Sequence, residues 1–215
     1  MTGTSIVVAR PDKPAHLVLL FHGVGSTAAN LVPLAEVVAQ ARPDAMVVSV
    51  DGPHPSNLGR GREWFSVAGV TEENRPQRVA RALPLFRNTI AHWQQAAGGL
   101  DADQTTLIGF SQGSIMALEA TQSGERLAGR IVALAGRFAQ PVRRAPSGVR
   151  FHFIHGAADP VILPSFSVEA AQRLRELGAD ATLEVLPGLG HGIDMRVANL
   201  LAGYFRLARS SNSSD

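Results

Sequence analysis

The chain has 215 residues, of which 45% are hydrophobic, and a mean hydropathy of +0.07, which predicts one folded domain with a large core and argues against disorder. The net charge is only +2, and although the pI is about 9.9 the arginines are scattered, which argues against nucleic-acid binding. Without cysteine, disulfides, thiolate zinc sites and cysteine nucleophiles are excluded.

The N-terminal segment has no basic stretch before an apolar run, and its longest apolar run is LVLLF. That run is too short for a signal peptide or for a membrane-spanning helix. We therefore expect a cytoplasmic protein with no stable membrane insertion.

Short apolar runs alternate with longer helical patterns along the chain. This rhythm is typical of an α/β fold with a mostly parallel central sheet and helices on both faces. The last run alternates, with Thr182 and Glu184 on one face, so we expect it at an edge of the sheet. The seven predicted strands are residues 5–9, 16–21, 45–50, 105–110, 130–136, 150–155 and 181–186.

Three apolar stripes at helical spacing separate or follow these strands. The first has Asn30 as its predicted N-cap and Pro33 in its first turn. The second contains Pro84, which predicts a kink or a late helix start. The stripes are Leu31, Leu34, Val37 and Val38; Val79, Leu83, Phe86, Ile90 and Trp93; and Ile193, Val197, Leu200, Leu201 and Tyr204.

One long stretch, residues 51–77, shows neither the alternation of a strand nor the apolar spacing of a helix. It is rich in glycine, proline and charged residues, yet contains Trp64 and Phe65. Irregular segments of this length are usually functional or disordered, and the aromatic residues argue against disorder. We predict a single domain over residues 1–209, followed by a frayed polar tail at 210–215. No separate lid domain is expected, because the strands and helices account for nearly all of the chain.

Ser111 lies between Gly109 and Gly113, where an apolar strand ends and a helical pattern begins. The Gly-x-Ser-x-Gly pattern alone is weak evidence in a chain with 21 glycines. Its strand-to-helix setting, however, is typical of a nucleophile elbow, a strained turn so crowded that only small residues fit on either side of the serine. The sequence therefore predicts Ser111 as a nucleophile.

A serine nucleophile needs a base, and the base needs a carboxylate that orients it. After an elbow of this kind the acid precedes the histidine in the chain. Asp159 lies just past a predicted strand, and His191 lies in a glycine-rich loop after the last strand. The carboxyl ends of parallel strands are where ligand-facing residues belong. We predict Asp159 as the acid and His191 as the base; an ordinary turn aspartate is the alternative for Asp159.

The reaction also needs N–H donors for the developing oxyanion. The N–H of Gln112, the residue after the nucleophile, is one predicted donor. The other is the N–H of Val24, because Gly23 and Gly25 free the backbone at the end of an early strand. His22 is expected to support this loop by hydrogen bonding rather than to act in catalysis.

No cofactor and no metal site are predicted. His152 and His155 are three residues apart, a spacing that directs them to opposite faces of a strand. No Gly-Lys-Ser/Thr follows the glycines near position 23, so they do not form a phosphate loop.

Five stretches follow one another in the order FHGVGS, GREWF, GFSQGS, HGAADPVILP and GLGHGI, between residues 21 and 193. Together they resemble the phospholipase/carboxylesterase family of α/β-hydrolases, which includes bacterial carboxylesterases, lysophospholipases and acyl-protein thioesterases. The resemblance implies the α/β-hydrolase fold and a triad of Ser111, Asp159 and His191. It also implies that Val24 and Gln112 carry the oxyanion donors.

Two positions depart from the pattern of that family. Ser26 stands where relatives often have an acidic residue, and Ser114 stands where they often have glycine, which bears on loop rigidity and acyl-pocket shape. The GREWF stretch resembles the substrate-side loop of the family. We predict that Leu58, Trp64 and Phe65 wall the acyl site; the alternative is that Trp64 and Phe65 only anchor the loop to the core.

The sequence thus predicts hydrolysis of carboxylic esters with short to medium acyl chains, through an acyl-enzyme on Ser111. One alternative is a lysophospholipase or acyl-protein thioesterase with the same triad, in which Arg60 and Arg62 meet an anionic headgroup. A more remote alternative is a binding protein of the same fold that has no catalytic activity. The expected partner is a small ester or thioester, and a homodimer is left open.

Overall fold

Nine strands run through residues 5–210, the part of the chain that the computed structural model describes. They are β1 (Ile6–Ala9), β2 (His16–Phe21), β3 (Ala45–Val50), β4 (His54–Pro55), β5 (Arg62–Glu63), β6 (Thr105–Phe110), β7 (Arg130–Leu134), β8 (Arg150–Gly156) and β9 (Asp180–Leu186). Seven form one sheet in the order β1-β3-β2-β6-β7-β8-β9, and β4 pairs with β5 in a separate hairpin. Within the sheet every pairing is parallel except that of β1 with β3. The predicted mostly parallel sheet of seven strands is confirmed, as is the edge position of its last strand.

Five α-helices accompany the strands in the described residues. They are α1 (Val32–Ala41), α2 (Arg75–Ala96), α3 (Gln112–Ala120), α4 (Ser165–Glu176) and α5 (Met195–Ser210). No helix of this part of the chain combines the length and the hydrophobicity needed to cross a membrane.

Side chains on the two faces of the sheet form two cores. Along β2, Leu17, Leu19 and Phe21 pack with α2, α3 and α4, whereas Val18 and Leu20 pack with α1 and α5. Successive side chains of a strand point to opposite faces, so an inner strand covered by helices on both sides is apolar throughout. The predicted coverage of both faces is therefore confirmed.

The predicted N-cap at Asn30 is wrong, because a 3-10 turn (Ala28–Leu31) precedes the first helix. The N-cap position is held by Leu31, with no side-chain capping bond, and Pro33 lies in the first turn as predicted. The amide oxygen of Asn30 instead accepts a hydrogen bond of 2.8 Å from the Thr27 hydroxyl.

The late helix start predicted from Pro84 is also wrong, since α2 is continuous from Arg75 and contains Pro84. A proline inside a helix removes the donor for the carbonyl of the residue four positions earlier, here Ala80. Both residues are exposed, so water can bond to that carbonyl and the helix tolerates the loss.

Several strand boundaries also differ from the prediction: β1, β8 and β9 each differ by one residue at one end, and β7 differs by two. Strand β7 stops at Leu134 rather than at position 136, because Ala135 turns the backbone with a φ of 46°. At the C-terminus, Ser210 is the last residue of α5, and the remaining predicted tail, 211–215, lies outside the described residues.

Candidate active site

Ser111 occupies the turn between β6 and α3, with φ 52° and ψ −113°. A positive φ at a residue other than glycine costs about 1–3 kcal/mol and persists only where surrounding structure enforces it. Here the Ser111 N–H donates to the carbonyl of Leu134 at 2.9 Å, and the Ser111 carbonyl accepts from the N–H of Ile115 at 3.1 Å. The turn is therefore held from the neighbouring strand and from the helix that follows it.

The two glycines beside this turn are required by close backbone contacts. A Cβ atom on Gly109 would lie 2.4 Å from the Ser114 nitrogen, and one on Gly113 would lie 2.1 Å from the Phe21 carbonyl oxygen. Neither distance is compatible with a side chain, and neither contacting atom can move without displacing the backbone. The crowding that the Gly-x-Ser-x-Gly spacing predicts is thus present on both sides of the serine.

Ser111, His191 and Asp159 form a continuous hydrogen-bonded chain. His191 Nε2 lies 2.9 Å from Ser111 Oγ, and His191 Nδ1 lies 2.7 Å from Asp159 Oδ2. Because an ionised carboxylate only accepts hydrogen bonds, the His191 proton belongs on Nδ1, which leaves Nε2 free to accept the proton of the serine. Three residues distant in sequence are brought together at the carboxyl ends of β6, β8 and β9.

Asp159 is held in its ionised form. Its burial alone would raise the pKa, but hydrogen bonds from His191 and from the N–H groups of Ile162 and Val161 outweigh burial, and the pKa lies below its usual value. The two amide bonds reach Oδ1 at 2.8 Å from Val161 and 3.0 Å from Ile162, so Oδ2 is left to face the histidine. The carboxylate is consequently both charged and fixed in orientation.

A second histidine contacts the same carboxylate, and the sequence analysis did not assign it a part in the site. His155 is fully buried, and its Nε2 lies 3.2 Å from Asp159 Oδ2 and 2.8 Å from the carbonyl oxygen of Ile162. Since both neighbours are acceptors, Nε2 carries a proton, and Nδ1 is hydrogen-bonded to the Ser167 hydroxyl at 2.7 Å. The signal in the sequence was a histidine four residues before the aspartate, at the end of β8.

The loop that carries Val24 lies directly against Ser111. A Cβ atom on Gly23 would approach the Ser111 Cβ to 3.1 Å. Among the described residues, neither the N–H of Val24 nor that of Gln112 has a hydrogen-bond acceptor. Two unoccupied backbone donors therefore flank the serine, as an oxyanion site requires.

The hairpin of β4 and β5 holds this loop in place. The N–H of Gly25 donates to the carbonyl of Arg62 at 2.9 Å, and the N–H of Arg62 donates to the carbonyl of Ser26 at 2.7 Å. Gly61 approaches so closely that a Cβ atom there would lie 2.2 Å from the Gly25 carbonyl oxygen. The glycines and the irregular sequence of this segment are explained by its packing over the loop.

His22 supports the same loop, as the sequence analysis expected. Its Nε2 accepts a hydrogen bond of 2.9 Å from the Gly52 N–H, so the proton lies on Nδ1, which donates to the carbonyl of Gly23 at 2.7 Å. Burial lowers the pKa of His22, which keeps this tautomer neutral. Both ring nitrogens of His22 are thus bonded to the backbone of this region, and neither takes part in the hydrogen bonds that join Ser111, His191 and Asp159.

Trp64 and Phe65 contact the core and are hydrogen-bonded to Gln112, at the start of the helix that follows Ser111. Trp64 is 2% exposed and packs edge-on against Phe21 with ring centroids 5.4 Å apart. The Gln112 side-chain amide accepts a hydrogen bond from the backbone N–H of Trp64 at 2.8 Å and donates one to the backbone carbonyl of Phe65 at 2.7 Å. Their burial favours the alternative, in which Trp64 and Phe65 anchor the loop, whereas Leu58, with 54% of its surface exposed, can reach a ligand.

Ser114, where the resemblance led us to expect glycine, is completely buried beneath the elbow. Its hydroxyl bonds to the carbonyl oxygens of Gly109 at 2.5 Å and Leu134 at 2.9 Å, which links β6 to β7. This departure therefore changes the support of the turn and adds no group to the surface of the site.

Comparison with known proteins identifies the family of this chain. Residues 2–206 match the phospholipase/carboxylesterase family. The esterase YpfH of Escherichia coli (strain K12) is 44% identical over 201 residues, which are 93% of this chain and 86% of that protein.

Solved structures agree in fold. Esterase PE8 superposes with a TM-score of 0.84 at 28% identity, covering 96% of this chain and 98% of the other. The Bacillus cereus carboxylesterase superposes with a TM-score of 0.80 at 21% identity, covering 95% of this chain and 94% of the other. The chain therefore belongs to the phospholipase/carboxylesterase family of α/β-hydrolases.

Proposed function

We propose that this chain is a carboxylic ester hydrolase that cleaves esters of short to medium acyl chains through an acyl-enzyme on Ser111. The observation that carries the proposal is the unbroken hydrogen-bonded chain from Ser111 Oγ through His191 to Asp159. Ester hydrolysis is further supported by the family and by the 44% identity to an esterase.

In the first half of the reaction, Ser111 Oγ attacks the acyl carbonyl carbon while His191 Nε2 takes the hydroxyl proton. The Asp159 carboxylate stabilises the imidazolium that forms. The carbonyl oxygen becomes an oxyanion and is bound by the N–H groups of Val24 and Gln112. The tetrahedral intermediate collapses when His191 gives its proton to the leaving alcohol oxygen, which leaves the acyl group bonded to Ser111.

In the second half, a water molecule occupies the place of the alcohol. His191 removes a proton from it, and the resulting hydroxide attacks the acyl carbon. When the second intermediate collapses, the proton passes from His191 back to Ser111 Oγ and the carboxylic acid is released. Each group of the triad is restored, so the chain needs no other reactant than water.

The preference for short to medium acyl chains is supported by the surroundings of the triad. Large apolar side chains stand exposed on loops near the catalytic residues and at the start of α5: Leu58 at 54%, Val161 at 67%, Leu163 at 56% and Met195 at 71%. We interpret them as an open apolar rim around the triad, with no helical lid among the described residues. An open rim contacts a short acyl chain along its length, but leaves most of a long chain in water.

The headgroup role considered for Arg62 has less support. Its guanidinium is engaged with the protein itself, donating to the carbonyl oxygens of Gly52 and Pro53 and lying 3.7 Å from Asp51. Arg60 is exposed, but one exposed arginine does not favour a lysophospholipid over a neutral ester. The simple ester is therefore the preferred substrate class.

The test is kcat/KM on p-nitrophenyl esters with two to twelve acyl carbons. We expect an optimum at short or medium chains, and a fall in kcat of about 10⁴-fold or more in Ser111→Ala. Ser123→Ala, which removes an exposed hydroxyl remote from the triad, is the matched control and should be unchanged. Turnover that survives in Ser111→Ala would contradict the proposal, and a steady rise toward long chains would favour lysophospholipid or acyl-thioester substrates instead.

A further inference from the structure

A cavity of about 690 Å³ lies at the end of the sheet opposite to Ser111. It opens where β2, β6, β7, β8 and β9 begin, since parallel strands all start at the same edge of a sheet. Its volume is within the range of about 300–1,000 Å³ that small-molecule sites occupy. The charged residues that line it are Arg42, Arg130, Arg150, Asp103 and Asp180.

Both carboxylates of the lining already have cationic partners. Asp180 Oδ2 lies 2.5 Å from Arg150 Nε, and Asp103 is paired with Arg126 from outside the lining. Neither is left over to neutralise a further cation. The charge balance of the cavity therefore depends on the remaining two arginines.

Arg42 is also paired, with its Nε 2.9 Å from Asp44 Oδ1. Arg130 differs from it, because no ion pair joins Arg130 to a carboxylate of the described residues. The recorded contacts of its guanidinium are a hydrogen bond of 3.3 Å from Nη1 to the Tyr204 carbonyl and an approach of 5.6 Å to the Phe205 ring. Its Nε is buried and has no hydrogen-bond partner within residues 5–206.

A cation in this position is poorly solvated but still charged. The pKa of Arg130 is lowered to about 10, first by burial and then by the nearby Arg150 and Arg42 guanidinium groups, and the Asp180 carboxylate only partly offsets this shift. At neutral pH Arg130 consequently remains protonated, near two like charges that already have carboxylate partners of their own. An oxyanion would relieve this repulsion and would accept charge-assisted hydrogen bonds from the planar guanidinium.

We propose that this cavity binds a small molecule through a phosphate or carboxylate group held by Arg130. The site is distinct from the catalytic one: four residue steps along β7 separate Arg130 from Leu134, the strand end beside the nucleophile, which is about 13 Å at the usual rise of a strand. Binding at this site does not require Ser111, so it stands or falls independently of ester hydrolysis.

The experiment is equilibrium dialysis of inorganic phosphate, and separately of citrate, against the protein at constant ionic strength. We expect one saturable site per chain for at least one of the two anions, and the stronger of them identifies the favoured group as phosphate or carboxylate. Ser111→Ala should bind as tightly as the unaltered chain. Absence of saturable binding of both anions would overturn the proposal.

Arg130→Gln removes the unpaired cation and should weaken binding at least tenfold, while kcat/KM on a p-nitrophenyl ester stays the same. Arg173→Gln, which breaks an exposed ion pair with Glu176 on α4, is the matched control and should bind normally. If Arg130→Gln binds as tightly as the control, Arg130 only braces α5 and the proposal is wrong.

A second variant keeps the test decisive if Arg130→Gln does not fold. Arg150 and Asp180 are about half exposed, with 51% and 58% of their side chains accessible, so Arg150→Gln should be tolerated. It leaves the Asp180 carboxylate unpaired beside the cavity, and that negative charge should repel an anion and weaken its binding. Unchanged affinity in Arg150→Gln would contradict the proposal.

Discussion

At the scale of single residues, the arrangement of the site depends on the groups that surround the Asp159 carboxylate. One carboxylate oxygen accepts two backbone N–H groups, and the other faces two histidine side chains, His191 and His155. The first pair fixes the orientation of the carboxylate, and the second pair uses its charge. This division lets the aspartate be buried and ionised at the same time.

Asp159→Asn keeps the size of the side chain but replaces a charge by an amide that can donate. His191 would then be held in the opposite tautomer, with its proton on Nε2, and could not accept the proton of Ser111. We expect kcat to fall by about 10⁴-fold. The measurement is steady-state kinetics together with the urea midpoint, and a loss of less than tenfold in a folded variant would contradict the role assigned to Asp159.

We expect His155 to act on catalysis through Asp159, as a positioning residue. His155→Ala removes an imidazole that lies 3.2 Å from Asp159 Oδ2 and donates to the Ile162 carbonyl. Because the carboxylate would then be held less firmly, kcat should fall by about 10–100-fold while KM changes little. His155→Gln can donate from a similar position and should recover part of the loss. Equal loss in both variants, or a loss confined to KM, would show that His155 only fills space.

At the scale of elements, the segment between β3 and α2 is an anchored cover for the loop that carries Val24. The β4–β5 hairpin of this segment is hydrogen-bonded to that loop. Trp64, directly after β5, anchors the segment in the core, and its indole N–H donates to the His22 carbonyl at 2.9 Å. The order of this irregular stretch therefore comes from its contacts with the rest of the domain.

Trp64→Ala would empty a buried site between Phe21 and Phe86. We expect the free energy of unfolding to fall by about 3–5 kcal/mol, as for other large aromatic residues in cores. Leu58→Ala, at an exposed position, should leave stability unchanged but alter kcat/KM across acyl lengths. Denaturant unfolding measures the stability of each variant, and the series of p-nitrophenyl esters measures kcat/KM. Unchanged stability in Trp64→Ala would contradict the anchoring role and favour a place for Trp64 in the acyl site.

The packing of α5 on β8 and β9 makes stability depend on pH. His152 stacks on Tyr204 with ring centroids 4.0 Å apart, and its Nδ1 is hydrogen-bonded to the Thr182 hydroxyl at 2.7 Å. Its pKa is lowered to about 4, first by burial and then by Arg130 and Arg150. The folded protein therefore holds this imidazole neutral at pH values where an unfolded chain would protonate it.

Because the folded pKa is depressed, the contribution of His152 is complete above pH 6.5 and is lost as pH falls from there through 4. The loss approaches about 3 kcal/mol. In His152→Gln, the pH dependence of the urea midpoint should be flatter over this interval, whereas His54→Gln, at an exposed position, should retain the original slope. An unaltered slope in His152→Gln would refute the assignment.

At the scale of the whole molecule, the features predictable from sequence were those with a strong local pattern. The strands were predictable because covering both faces of a sheet makes an inner strand such as β2 apolar throughout. The strained turn at Ser111 was predictable because backbone crowding leaves only glycine beside it. The proximity of His191 and Asp159 to Ser111 was predictable because parallel strands bring their carboxyl ends together.

The features that escaped prediction depend on contacts between distant segments. The β4–β5 hairpin is too short to leave a periodic pattern, and the role of His155 follows from its distance to Asp159, to which the sequence gives no direct clue. The cavity around Arg130 is built from the starts of five strands. None of these arrangements is encoded in a local run of residues.

The central claim is that Ser111 is the nucleophile of a triad, and labelling with a fluorophosphonate followed by peptide mass mapping tests it most directly. The account predicts one phosphonyl group per chain, carried by Ser111, and labelling that slows strongly in His191→Gln. A chain that hydrolyses esters while Ser111 remains unlabelled, or that takes up the label at another serine, would contradict it.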